Sequence, residues 1–131
     1  MRILFVDDSQ VTRDIFPLVF SRQGFDTFTA KNGVEAVSAV REASVPFDVV
    51  VLDLQMPVMN GWEALQAIRE LPQGQRLPVI VFTGDWDCEI QTRAAAAGAD
   101  YLLHKPLLSD ELVAIVSQVV EKGQQRSVRD Q

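Results

Sequence analysis

The side chains best suited to chemistry in this chain are carboxylates, one hydroxyl and one amine that follow short apolar runs. They are Asp7, Asp8, Asp53, Thr83 and Lys105. Converging carboxylates repel one another and need a cation, and oxygen ligands without histidine or cysteine favour Mg²⁺ over zinc. Mg²⁺ keeps several of its waters and binds through one or two carboxylates together with phosphate oxygens. The set therefore predicts a magnesium site at which a phosphoryl group is transferred.

Within this set, Asp53 is the candidate nucleophile, and its attack would give an aspartyl phosphate. Mg²⁺ and Lys105 would balance the charge on the transferred oxygens, while Thr83 would donate a hydrogen bond to them. The chain contains neither G-x-x-x-x-G-K-[ST] nor G-x-G-x-x-G, the usual nucleotide-phosphate motifs. We therefore expect the phosphoryl group to come from something other than a bound nucleotide. An isolated aspartate more commonly starts a turn or caps a helix. The chemical role of Asp53 therefore depends on which residues lie at the ends of the other strands.

Four short apolar runs, and one stretch over residues 25–29 whose alternation of polar and apolar residues suits an edge strand, alternate with five segments of helical apolar spacing. This pattern predicts alternating strands and helices. The predicted strands are residues 2–6, 25–29, 49–52, 78–82 and 101–103, and the predicted helices are residues 9–22, 32–42, 62–71, 87–97 and 109–122. Ser9 and Asn32 are predicted N-caps. We expect a kink at Pro17, inside the first helix, because proline removes one hydrogen bond and clashes one turn back.

This alternation predicts an α/β fold, a doubly wound five-stranded parallel sheet in the flavodoxin-like order 2-1-3-4-5 with helices on both faces. Ligands of such sheets bind beyond the carboxyl ends of the strands, at the switch point between strands 1 and 3. Those two strands end in all three carboxylates, a shared location that favours chemistry over separate turns. We expect one domain over residues 1–122 and a polar C-terminal tail or linker over residues 123–131.

Composition narrows the class of protein further. The 131 residues are 47% hydrophobic and 23% charged, which is typical of a globular domain. A net charge of −6 argues against sequence-independent nucleic-acid binding, because no basic surface is available to displace counterions. Cys88 is the single cysteine, which excludes an intramolecular disulfide and suits a reducing compartment. With neither a leader-like start nor a long apolar run, we expect a cytoplasmic protein without a membrane partner.

The combination of motifs resembles the receiver domain of response regulators in two-component signalling. The motifs are Asp7-Asp8, Asp53-Leu54-Gln55-Met56-Pro57-Val58-Met59-Asn60-Gly61, Thr83-Gly84, Gly98-Ala99-Asp100 and Lys105-Pro106, and the resemblance covers residues 1–122. It implies that Asp53 is the phosphoacceptor. It also implies a phosphohistidine donor, carried by a sensor histidine kinase or a histidine phosphotransfer protein. The effector is open, and a second copy of the chain is a candidate partner.

The same resemblance implies which residues hold Mg²⁺ and the phosphoryl group. The implied Mg²⁺ ligands are two carboxylates and one backbone carbonyl, from Asp8, Asp53 and Gln55, with Asp7 acting largely through water. Thr83 and Lys105 are implied to contact the phosphoryl group, and the Lys105-Pro106 peptide bond is expected to be cis.

Some positions differ from the family pattern, and others are implied to affect the lifetime of the phosphoryl group. The position three residues before the lysine is usually Tyr or Phe in the family and is Leu102 here, which leaves aromatic coupling to Thr83 open. Tyr101, one place earlier, is predicted to point to the opposite face of the strand. By resemblance, Gln55 and Asp85 influence the lifetime of the phosphoryl group.

Two other functions compete with a phosphorylation-switched module. One is a Mg²⁺-dependent phosphatase with an aspartyl-phosphate intermediate, although such enzymes usually carry D-x-D at the first strand, where this chain has adjacent Asp7 and Asp8. The other is a degenerate receiver that only binds partners, against which the complete set of acids, threonine and lysine argues. We therefore expect a regulatory phosphoacceptor rather than an enzyme, with at most slow self-catalysed phosphorylation and dephosphorylation.

Overall fold

Strands and helices alternate along the chain in the computed structural model, which describes residues 1–84, 88–104 and 112–121. The strands are β1 (Arg2–Val6), β2 (Asp26–Ala30), β3 (Val49–Asp53), β4 (Val79–Thr83) and β5 (Tyr101–His104). The helices are α1 (Gln10–Ser21), α2 (Gly33–Glu42), α3 (Gly61–Glu70) and α4 (Cys88–Ala97), followed by helical residues 112–121, termed α5. The predicted beginning of α5 at residue 109 and the tail over residues 123–131 lie outside the described residues.

The five strands form one parallel sheet in the order β2-β1-β3-β4-β5, which confirms the predicted class and strand order. All residues of β3 and β4 are buried, as expected for central strands covered on both faces. In β2 only Ala30 is buried, which is the pattern of an edge strand. The register pairs Val6 with Leu52 and Asp53 with Phe82, so the carboxyl ends of β1, β3 and β4 lie side by side.

Two cores cover the two faces of the sheet, because alternate residues of each strand point to opposite sides. On one face, Leu4, Val50 and Val81 pack in the same core as residues of α2, α3 and α4. On the other face, the core contains aromatic residues of the sheet and α1, together with four buried residues of α5. There the Phe5 ring stacks on the Phe16 ring with centroids 3.6 Å apart. Helices therefore flank both faces of the sheet, as predicted.

Helix ends follow local sequence signals. Ser9 and Asn32 accept hydrogen bonds from amides in the first turns of α1 and α2, so both predicted N-caps are confirmed. Asn60 and Glu63 form a reciprocal capping box that starts α3, one residue before the predicted beginning of that helix. α1 continues through Pro17, and the kink stays a prediction. Within the described ranges, no helix has the length and apolar character needed to cross a membrane.

Arg69, in the last turn of α3, joins several elements at the amino end of β4 and β5. Its guanidinium makes five hydrogen bonds, as many as it has N–H donors. The acceptors are three backbone carbonyls and one carboxylate, those of Gly74, Leu77, Gly98 and Asp100. The Asp100 carboxylate also accepts from the amide of Val79. One side chain thus holds the end of α3, the end of α4 and the beginnings of two strands together.

Candidate functional site

Three carboxylates meet at the carboxyl edge of the sheet, where the sequence predicts them. Asp7 and Asp8 follow β1, Asp53 ends β3, and one carboxylate oxygen from each lies within 4.8 Å of the others. Asp7 and Asp53 are only 2% and 1% exposed, whereas Asp8 is exposed. Two buried carboxylates beside a third carry a high electrostatic cost that a bound cation would relieve.

Asp53 is held by the strand that ends at it and by the loop that follows. The amide of Leu54 donates to the carbonyl of Phe82 at 3.0 Å, which keeps this strand end paired with β4. The amide of Gln55 donates to Asp53 Oδ1, also at 3.0 Å, in an Asx-type turn. Both the backbone and the carboxylate of Asp53 are therefore fixed before any ligand arrives.

Asp7 is held through its amide, its carboxylate and its carbonyl. Its amide donates to the carbonyl of Ala30 at 3.2 Å, and its Oδ1 accepts from the amide of Ser9 at 2.8 Å. Its carbonyl accepts from Arg13 Nη1 at 2.8 Å. Sequence reasoning missed Arg13. The signal available was a basic residue near the amino end of a helix, where the helix dipole disfavours positive charge.

The loop between β3 and α3 returns the chain directly behind the acceptor. The amide of Gly61 donates to the carbonyl of Leu54 at 3.1 Å, and a Cβ atom on Gly61 would lie only 2.3 Å from the carbonyl oxygen of Asp53. Only glycine fits this approach. Val58, at the tip of the loop, has φ = 70° and is 83% exposed, an unusual conformation for a β-branched residue.

The donor set of the cluster fits Mg²⁺, because it offers only carboxylate oxygens. Of the four predicted ligand residues, Asp7, Asp8 and Asp53 are brought together. Gln55 lies beside them, because its backbone amide donates a hydrogen bond to the Asp53 carboxylate. The role of its carbonyl as a ligand stays a prediction.

The two predicted phosphoryl-contacting residues have different outcomes. Thr83 ends β4, is 2% exposed and follows the residue that pairs with Asp53, which puts it at the same edge of the sheet. Lys105 lies outside the described residues, as do Asp85 and the predicted cis Lys105-Pro106 bond. His104, which precedes Lys105 in the chain, pairs with Thr83 in the sheet register.

Leu102, three residues before the lysine, and its neighbour Tyr101 lie in different surroundings. Leu102 is half-buried and packs against the core formed with α2, α3 and α4. Tyr101 is 42% exposed. The position that is usually aromatic in the family thus belongs to the core in this chain, through an aliphatic side chain.

Comparisons with known proteins agree with the fold and identify the family. The family model described as the response regulator receiver domain matches residues 3–117. The two-component response regulator ORR41 of Oryza sativa subsp. japonica is 34% identical over 119 residues, which cover 89% of this chain and 92% of that protein. The chain spans about half the length, 54%, of other curated relatives that it matches at 28–29% identity.

Two solved structures are also similar. The chemotaxis protein CheY4 of Vibrio cholerae has a TM-score of 0.84 and 31% identity, covering 90% of this chain and 97% of that one. The receiver domain of the sensor histidine kinase PA1611 of Pseudomonas aeruginosa has a TM-score of 0.82 and 25% identity, covering 92% and 97%. That second structure has a magnesium ion coordinated in its active-site cleft.

Proposed function

Because the chain belongs to the response regulator receiver domain family, we propose that it is switched by transfer of a phosphoryl group onto Asp53. The observation that carries this proposal is the cluster of three carboxylates at the ends of β1 and β3, with oxygens within 4.8 Å of one another. Receiver domains are regulatory components of two-component signalling. We propose that any self-catalysed phosphorylation or dephosphorylation of this chain is slow.

The chemical step is a displacement at phosphorus. A carboxylate oxygen of Asp53 forms the new O–P bond while the bond from phosphorus to the donor nitrogen breaks, and the released imidazole keeps the electron pair and takes a proton from solvent. Asp53 meets the donor in a fixed orientation because the amide of Gln55 already holds one of its oxygens. The nucleophile therefore needs little reorganisation, which is a recognised source of rate.

Charge on the transferred oxygens is balanced by groups around Asp53. Mg²⁺, when bound, supplies electrostatic stabilisation, and Asp8, Asp53, the carbonyl of Gln55 and Asp7 are the residues proposed to hold it. Thr83 follows the residue that pairs with Asp53, and its hydroxyl is proposed to donate a hydrogen bond to a phosphoryl oxygen. Lys105 is proposed to contribute the remaining positive charge.

The proposed partners follow from the donor chemistry. We propose a sensor histidine kinase or a histidine phosphotransfer protein as the phosphodonor. The effector is undefined, with a second copy of the chain among the candidates. We also propose a cytoplasmic location, which the single cysteine, Cys88, fits because reducing compartments keep thiols free.

Incubation with Mg²⁺ and a small acyl phosphate tests the proposed function. We expect a stoichiometric gain of one phosphoryl group in the intact mass, dependent on Mg²⁺ and abolished in Asp53→Asn. Asp26→Asn is a matched control, because Asp26 begins β2 at the opposite end of the sheet. No mass gain in the wild-type protein would favour a domain that only binds partners, and the proposal would then be wrong.

The competing phosphatase function is not supported, since the family match identifies a receiver domain. A phosphatase would release phosphate from phosphomonoesters with many turnovers. The proposed module should consume phosphodonor only to the extent of its own labelling and slow hydrolysis. Measuring phosphate release with a simple aryl phosphate separates the two reactions.

A further inference from the structure

Arg13 is a basic side chain that turns back toward the acidic cluster from the beginning of α1. The helix is capped by Ser9 and has no acidic residue in its first turn. Arg13 Nη1 donates to the carbonyl of Asp7 at 2.8 Å, and Nη2 donates to Gln10 Oε1 at 2.6 Å. The positive end of a helix dipole disfavours a cation, so helix stability alone does not account for this placement.

The carbonyl that Arg13 holds belongs to the peptide unit between Asp7 and Asp8. A peptide unit is planar, so holding its oxygen also fixes the orientation of the Asp8 amide and the position of the Asp8 Cα atom, from which the side chain leaves the backbone. The Asp8 side chain is exposed, and in the ranges that the structure describes no hydrogen bond holds it. The position of its carboxylate thus depends on this peptide unit.

Other groups of Asp7 bond to backbone partners, while Arg13 holds its carbonyl. The Asp7 amide bonds to Ala30, and its carboxylate accepts from the amide of Ser9. Gln10 in turn holds the guanidinium and also donates to Asp14 Oδ1 at 2.8 Å, so a short polar chain along α1 keeps Arg13 in place.

We propose, on the premise that the acidic cluster holds Mg²⁺ as described above, that Arg13 is a positioning residue for that site. Its guanidinium fixes the Asp7–Asp8 peptide so that the Asp8 carboxylate faces Asp53. This role is distinct from charge balance. A nearby cation repels Mg²⁺, so loss of the Arg13 charge alone would tighten Mg²⁺ binding, whereas loss of positioning weakens it. The two roles therefore predict opposite signs for the same substitution.

The test is Mg²⁺ affinity, measured by isothermal titration calorimetry on the 131-residue chain. We expect Arg13→Gln to raise the Kd about tenfold, the low end of the range for outer residues that orient metal ligands. Arg13→Lys should bring the Kd back to within about threefold of wild type, because an ammonium group can donate to the same carbonyl. The matched control is Arg22→Gln, which removes the same charge at the other end of α1 and should leave the Kd unchanged.

A folded Arg13→Gln protein with an unchanged or lower Kd would overturn the positioning role. If that variant does not fold, Gln10→Ala replaces it, because Gln10 is exposed and its loss frees the guanidinium without removing it. An unchanged Kd in Gln10→Ala would then count against the proposal, and a rise of about threefold would support it. Failure of the wild-type protein to bind Mg²⁺ would instead contradict the proposed function, so the two failures are distinguishable.

Discussion

Replacing Gly61 by alanine should disturb Asp53 itself, because the two residues approach each other through their backbones. A Cβ atom on Gly61 would lie 2.3 Å from the Asp53 carbonyl oxygen and 2.5 Å from the Cα atom of Leu54. Real Cβ atoms essentially never approach below 3.0 Å, so the backbone must open by about 0.7 Å. Both obstacles are backbone atoms at a buried strand end, and no flexible side chain is there to yield.

The size of the effect follows from this displacement. Overpacking typically costs about 1–3 kcal/mol, and we expect a loss near the middle of that range, about 2 kcal/mol, in the free energy of unfolding. For a domain of this size, such a loss lowers Tm by about 6–10 °C. A misplacement of about 1 Å can slow a reaction a hundredfold, so a shift of about 0.7 Å should slow phosphorylation of Asp53 at least tenfold.

The assay combines urea unfolding with a time course of intact mass in Mg²⁺ and a small acyl phosphate. Gly84→Ala is the control, because a Cβ atom there would be 3.8 Å from Gln55 Oε1, an ordinary contact near the same site. An unchanged rate and stability in Gly61→Ala would refute the reasoning. A loss of stability with an unchanged phosphorylation rate would show that α3 moves and Asp53 does not. The predicted effect of the substitution on phosphorylation would then be wrong.

Three further outcomes are expected. Val58→Asn should raise the free energy of unfolding by about 1 kcal/mol, because Asn tolerates φ = 70° better than valine does; urea denaturation with no gain would show that the loop carries no strain. Arg69→Lys should lower the free energy of unfolding by about 2–3 kcal/mol, since an ammonium group cannot reproduce the hydrogen bonds of a planar guanidinium. A loss below about 0.5 kcal/mol in urea denaturation, which is typical of surface substitutions, would contradict this. Mg²⁺ at about a hundred times its Kd should stabilise the protein by about 2.7 kcal/mol in thermal unfolding, and Asp8→Asn should remove most of that gain; equal stabilisation in the variant would argue against Asp8 as a ligand.

Much of the fold could be predicted because its signals are local. Apart from Arg2 at the beginning of β1, the runs that form β1, β3 and β4 are apolar until the first polar residue marks their ends, as strands covered on both faces require. Ser9 and Asn32 are residues whose side chains satisfy amides of a first helical turn. The acidic cluster followed from the same logic, since parallel strands bring their carboxyl ends to one edge.

Other features escaped prediction because they depend on residues far apart in the chain or contradict local preference. Arg69 bonds to carbonyls of Gly74, Leu77 and Gly98, and a backbone carbonyl has no signature in the sequence. Arg13 likewise bonds to a backbone carbonyl, that of Asp7, so its residue type indicates an unusual basic position near the amino end of a helix but not its partner. Val58 adopts a conformation that its side chain disfavours, so its residue type indicates the opposite of what the loop requires.

The bonds made by Arg69 have a mechanical consequence for α4. Arg69 holds the carbonyl of Gly98, the residue directly after α4, while the amino end of that helix lies toward the edge of the sheet that carries Thr83. A displacement of α4 that spares these bonds is therefore a swing about its carboxyl end. The helix has 10 residues and is about 15 Å long, so a tilt of about 10° would move its amino end by about 2.6 Å. The bonds of Arg69 thus make such a movement smallest at Gly98 and largest at the amino end of α4.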